Sequence, residues 1–173
     1  MQEINLTPAS YIVLGLVAYL GEATPYALKQ MVQASIGNFW SLQHAQLYTE
    51  PERLAKAGYL TEKRESAGRR RKRYSITPKG REAVARWRAE PTEELGELRE
   101  PALLKLFLGG DPAELAPLQL EAHRRKLAEY ESIRDGMAPD VPHGPRLALQ
   151  AGIRAERSWI GFWRELAGTR ESQ

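Results

Sequence analysis

Arg69, Arg70, Arg71, Lys72 and Arg73 set five cations side by side, and Tyr74, Ser75 and Ile76 follow without a break. Basic side chains neutralise backbone phosphates, and arginine suits narrow, electronegative minor grooves. A second polar set lies upstream: Ser41, Gln43, His44, Gln46 and Tyr48. A glutamine carboxamide can pair bidentately with adenine, serine and histidine reach bases or phosphates, and a phenol hydroxyl donates to a phosphate. The two sets together match the chemistry of a nucleic-acid duplex. Each has a plainer reading as well. A basic run can be a solvated face or a localisation tag. The glutamines can simply face water, and Tyr48 can pack on Trp40 in a core.

Charge distribution favours a polyanion. The formal net charge is only +3. From Arg53 to Arg73, nine Lys/Arg stand against two Glu, a local +7 that leaves −4 for the rest of the chain. Such asymmetry marks a local footprint, not general stickiness. Catalytic chemistry lacks its parts. His44, His123 and His143 have no metal-ligand spacing, no glycine-rich phosphate loop precedes a helix, and cysteine is absent. The expectation is a non-enzyme without metal or organic cofactor. Apolar residues at 42% and charged residues at 27% suffice for a core. No run of about 18 apolar residues and no signal-like leader is present, so a cytoplasmic protein outside the membrane is expected.

The positioning elements can be read from their punctuation. Three Thr-Pro pairs, Thr7-Pro8, Thr24-Pro25 and Thr77-Pro78, each precede a helical pattern. A threonine N-cap accepts from a free N–H of the first turn, and proline at N1 loses no helical bond. The first helix is expected from Pro8 to about Leu20, on the stripe Ile12, Val13, Leu16, Val17, Leu20. The second runs from Pro25 to Ala34. A third is expected over Ser41 to Ala57, stopped by Gly58, with a kink or break at Pro51. Two strands, Tyr59 to Glu65 and Lys72 to Ile76, flank the turn-like Ser66-Ala67-Gly68-Arg69. Tyr74 and Ile76 share one face of the second strand, Arg73 and Ser75 the other. A fourth helix starts at Pro78 and carries Val84 and Trp87. Helix, helix, helix, hairpin, helix is a winged-helix arrangement. It places the basic run on the tip and return strand of a hairpin beside a candidate recognition helix.

The second half differs in character. Residues 88–101 read as a linker, dividing a domain at 1–90 from a helical one at 91–173. Apolar Ala102 to Gly110 is followed by a helix restart at Asp111-Pro112. Leu120, Leu127, Tyr130, Ile133 and Met137 form a narrow seam. After the loop "GMAPDVPHGP", a last helix shows Leu147, Ala151, Ala155, Trp159, Phe162, Trp163 and Leu166. Two long helices with narrow seams cannot wrap a full core alone. Pairing with a second copy of the chain is expected, with folding back on the N-terminal domain as the alternative. The fold class is thus mainly α: a winged helix-turn-helix domain followed by an α-helical dimerisation domain.

These residues carry a resemblance. The ordered series Ile12-Val13-Leu14-Gly15-Leu16, Tyr26-Ala27-Leu28, Phe39-Trp40, Gln46-Leu47-Tyr48, Arg53-Leu54, Gly58-Tyr59-Leu60 and Arg73-Tyr74-Ser75-Ile76-Thr77-Pro78-Lys79-Gly80 resembles the PadR family of transcriptional regulators. Lys105-Leu106-Phe107-Leu108-Gly109 is similar to the start of the helical C-terminal domain of its longer, virulence-activator-like members. Many members have proline directly after the Leu-Tyr pair; here Thr49 follows. The resemblance implies a homodimer that binds inverted-repeat operators on double-stranded DNA, usually as a repressor. Tyr48 resembles the family tyrosine on the DNA-facing side; the start of the third helix in the major groove adds expected contacts from Ser41, Gln43, His44 and Gln46, and the wing from Arg69, Arg70, Arg71 and whichever of Lys72 or Arg73 faces outward. Some relatives take planar aromatic effectors, so a pocket lined by Trp40 and by Trp159 or Trp163 is an expectation beside the plainer one of core or seam. The competing function is a helical adaptor that uses its C-terminal seam on another protein and ignores DNA.

Overall fold

The computed structural model describes residues 4–64 and 71–168. The chain divides into two compact units, Met1–Glu94 and Leu95–Gln173. The first contains α1 (Pro8–Leu20), β1 (Glu22–Ala23), α2 (Pro25–Ala34), a 3-10 turn (Ile36–Asn38), α3 (Gln46–Lys56), β2 (Leu60–Arg64), β3 (Lys72–Ile76) and α4 (Pro78–Ala89). This is a winged helix. Its sheet is antiparallel in the order β1-β3-β2, with Leu60 opposite Ile76, Arg64 opposite Lys72 and Ala23 opposite Tyr74. The turn Ser66 to Arg69 lies outside the described residues.

Two Thr-Pro caps act through their hydroxyls: Thr24 Oγ1 accepts from Ala27 N at 3.2 Å, and Thr77 Oγ1 from Gly80 N at 3.1 Å. At the third, the Thr7 N–H donates to Ser10 Oγ at 2.9 Å. Val13, Leu14 and Val17 of α1, Leu28 of α2, Leu47 and Leu54 of α3, Leu60, Tyr74 and Ile76 of the sheet and Val84 of α4 close one core. Full burial of each such side chain contributes about 2 kcal/mol. Tyr11 and Trp87 stack at 4.7 Å, adding an aromatic contact between α1 and α4.

The third helix is shorter than its sequence suggests. Residues 41–43 are irregular, His44 and Ala45 form a turn, and α3 begins at Gln46. The backbone bonds Gln46 N to Gln43 O and Leu47 N to His44 O, at 3.0 and 3.2 Å, wind a tight lead-in turn. The reason is geometric. Leu42 and Leu47 both pack into the core. Five residues of helix would rotate them about 140° apart, so both reach the core only if the backbone between them is not α-helical. Nor does Pro51 break the helix, which runs unbroken to Lys56. With the helix starting at Gln46, Pro51 stands in its second turn, where it forfeits one bond to Leu47 O. Its ring is fully buried in exchange. β1 is a strand absent from the sequence reading.

The end of α3 is locked to the start of α4. Gly58, at φ 80, closes α3 with Gly58 N on Ala55 O at 3.0 Å and Tyr59 N on Leu54 O at 2.9 Å, a double bond pattern that satisfies the last carbonyls and favours glycine. Thr77 Oγ1 donates toward Gly58 O at 2.8 Å, its own N–H donates to Tyr59 O, and Lys79 Nζ reaches Ala57 O at 3.0 Å. Gly80 completes the close approach: a Cβ there would lie 2.3 Å from Tyr59 O and 2.8 Å from Ile76 Cγ1. Gly80→Ala is therefore expected to destabilise the winged unit by about 1–3 kcal/mol, read as a lower urea midpoint with an unchanged slope.

The second unit contains α5 (Pro101–Phe107), α6 (Pro112–Asp135) and α7 (His143–Gly168), preceded by residues 91–100 without regular structure. Asp111 Oδ1 caps α6 through Ala113 N at 2.8 Å. α6 and α7 pair antiparallel, and Ala116, Leu120, Ile160 and Trp163 form a core with Ala102 of α5. α7 starts inside the expected loop, at His143. Pro145 then occupies the first turn, where no helical N–H is required. Arg146 ties the connection down, donating to Ala138 O at 2.6 Å and Val141 O at 3.1 Å. Among the described residues, no helix is long and apolar enough to cross a membrane.

Candidate nucleic-acid interface

The outer face of α3, the segment leading into it and the strand β3 form the candidate interface. Ser41, Gln43, His44, Gln46 and Tyr48 are all exposed, Tyr48 at 46%. Tyr48 is thus outside the core, and Trp40 is itself 45% exposed. Ser41, Gln43 and His44 precede α3 instead of forming its first turn. Gln46 Oε1 accepts from Gln43 N at 3.1 Å, so the carboxamide oxygen steadies the turn. Thr49, Glu52 and Lys56 share the accessible side of the helix and were not singled out by residue type. Their signal was available in the i, i+3, i+7 spacing from Thr49, read as a polar face.

The helix is held to α1 by a buried polar knot. Glu50, 9% exposed, receives Ser10 Oγ at 2.6 Å and a two-pronged Arg53 guanidinium at 2.6 and 2.9 Å. Arg53 also reaches Ser10 Oγ at 2.9 Å and the Asn5 carbonyl at 3.2 Å. Burial pushes the Glu50 carboxyl up, but the hydrogen bonds from Arg53 and Ser10 outweigh it and hold the group below its ordinary value of 4.5.

Side chains alternate along β3. Tyr74 and Ile76 point into the core. Arg71 and Arg73 are exposed, with Arg73 3.8 Å from Glu22. Lys72 is half-buried and turned the other way, toward Glu52 of α3 and, at 3.7 Å, Glu62 of β2. Arg73 is therefore the outward member of the pair. Arg69 and Arg70 lie outside the described residues. Glu62 also receives Arg64 Nε at 3.0 Å and the Tyr74 hydroxyl at 3.1 Å. The Arg64 bond is the main cause that holds Glu62 below the usual carboxylate range, and burial beside Glu62 pushes the Tyr74 phenol well up.

In the second unit, Trp163 is fully enclosed in the core, while Trp159 is half-buried and stacks on His123 at 5.8 Å. His123 Nδ1 meets Glu156 at 2.6 Å.

This architecture agrees with what the chain is similar to. Residues 13–86 match the transcriptional regulator PadR-like family, and residues 98–169 match the virulence activator alpha C-terminal family. The negative transcriptional regulator PadR of Bacillus subtilis is 25% identical over 88% of this chain and 91% of its own. The crystal structure of Bacillus subtilis PadR with operator DNA superposes with a TM-score of 0.80 at 22% identity, covering 92% of this chain and 97% of the other. The same protein with p-coumaric acid gives 0.77 at 20% identity, over 98% and 100%. The chain therefore carries a winged-helix domain of the PadR-like transcriptional regulator family followed by a helical domain of the virulence activator alpha C-terminal family.

Proposed function

We propose that the chain is a cytoplasmic repressor that binds an inverted-repeat operator as a homodimer. Residues 1–90 serve as the DNA-binding domain and 91–173 as the dimerisation domain. The segment Ser41 to Tyr48 enters the major groove, where Gln43 and Gln46 read bases and Ser41, His44 and Tyr48 take bases or phosphates. Arg69, Arg70, Arg71 and Arg73 engage the backbone beside it. One observation carries this reading: the exposed face of α3, the outward Arg73 of β3 and Arg71 just before it belong to one compact unit, in which the Gly58 to Gly80 lock ties the end of α3 to the residues that follow β3. Two half-sites roughly 34 Å apart are what a two-fold pair of such units requires. Footprinting the protein on the DNA upstream of its own gene tests it. Protection of an inverted repeat, lost progressively with salt, is the expected outcome; sedimentation as a monomer with no duplex binding at low salt would refute it.

Bacillus subtilis PadR has been crystallised with p-coumaric acid, and we extend that ligand class to this chain: a planar aromatic acid is the proposed inducer. Trp40, exposed, and Trp159, half-buried, are the tryptophans that would report it. Binding is expected to change tryptophan emission and release the duplex at the same ligand concentration. A panel of aromatic acids that changes neither would remove the proposal.

A further inference from the structure

Lys72 is the fourth of the five basic residues in the run, yet its charge is spent inside the protein. Its side chain is 28% exposed, and its ammonium meets Glu52 of α3 and Glu62 of β2. Glu62 is fixed in turn by the Tyr74 hydroxyl. The place of this cluster in the sheet matters. β1 supports β3 only at Ser75 and Tyr74. Toward Lys72 and Arg64, β2 and β3 continue as a two-stranded ribbon, and such ribbons twist and bend more than wider sheets. On that stretch, the Lys72 to Glu52 pair joins the ribbon to α3.

We infer that Lys72 is a positioning residue, not a phosphate contact: its ion pair with Glu52 braces the wing against α3 and sets the angle at which the two surfaces meet the duplex. This rests on the DNA-binding reading above. Without the brace, the outward arginines keep their charge but lose their register with α3, and part of the binding free energy goes into ordering the wing.

The brace and simple electrostatics predict opposite signs for one variant. Glu52 lies on the accessible side of α3, so its neutralisation should strengthen binding to a polyanion if charge alone counts. If it is half of a brace, Glu52→Gln weakens binding, by about fivefold for a part-exposed pair. Lys72→Met should weaken binding likewise, and in the Glu52→Gln background it should cost nothing further. A phosphate-contacting Lys72 would instead lower affinity in both backgrounds and reduce the log–log salt slope by about 0.9 per protomer, about 1.8 for the bound dimer. Anisotropy titrations of the full chain on a duplex carrying its own upstream region, at two salt concentrations, read all of this. Thermal midpoints of the variants confirm that folding is intact, and Lys72→Arg, which keeps the pair, should retain wild-type affinity. Tighter or unchanged binding by Glu52→Gln, or additive losses, overturns the brace. Absence of wild-type binding to any duplex overturns the parent reading, and the brace with it.

Discussion

Exchanging Arg69, Arg70, Arg71 and Arg73 for glutamine is expected to weaken duplex binding by at least several thousandfold at roughly 0.1 M salt. Each neutralised phosphate contributes about 0.9 to the log–log slope, so each contact carries a factor of about eight at 0.1 M relative to 1 M. Four contacts in each protomer give several thousandfold per half-site, and over the eight contacts of the bound dimer the slope should flatten by about 7.2. Lys72 is left out because of strand alternation: Arg71 and Arg73 are exposed on one side, while Lys72 faces Glu52 on the other. Arg71 and Arg73 pack nothing in the core, so the thermal midpoint should hardly move. A loss of only twofold would make the run a solvated face.

Removing Arg53 should cost about 2 kcal/mol of stability at neutral pH. A guanidinium taken from a buried carboxylate leaves an uncompensated charge, worth about 3–5 kcal/mol when both groups are dry. The Arg53 side chain is 37% exposed, so solvent screening moves the figure down. The pH dependence has a definite sign. In the wild type Glu50 sits below 4.5, so its contribution is complete above that pH and is lost as acid carries the group through its folded value. In Arg53→Met the burial that pushes Glu50 up is left with only Ser10 against it. The variant's deficit should therefore shrink between about pH 7 and 4, where protonation relieves the stranded charge. Urea titrations at several pH values give the difference; a deficit independent of pH would mean that Arg53 acts by packing alone.

Much of the fold was legible because its signals are local. Threonine caps with proline at N1 fixed the starts of α1, α2 and α4, and alternation in Arg73, Tyr74, Ser75 and Ile76 fixed which side of β3 is buried. Signals spread over distant residues were not. β1 is two residues long, too short for any periodicity, and exists because Glu22 and Ala23 find partners in Ser75 and Tyr74. The start of α3 was misplaced because the polar run Ser41 to Gln46 suits a helix locally. The five-residue spacing of Leu42 and Leu47 held the answer, since both must reach one core. The same holds for the interface. Residue types pointed to Gln43, Gln46 and the arginines, but not to which basic residue turns inward. Lys72 does so because Glu52, twenty positions away, approaches it only in the folded chain. Glu50 reads as a surface acid in sequence, and is buried because Ser10 and Arg53 converge on it.

The chain has no cysteine, so single cysteines can carry an iron chelate that cuts whatever DNA lies beside them. Placed by Thr49→Cys on α3 and by Arg71→Cys at the base of the wing, the chelate should cut bound duplex at positions repeated two-fold about one helical turn apart. Placed by Glu121→Cys on α6, it should leave the duplex intact. Cutting from Glu121→Cys with none from Thr49→Cys would contradict the assignment of α3 and the wing as the DNA-facing surface.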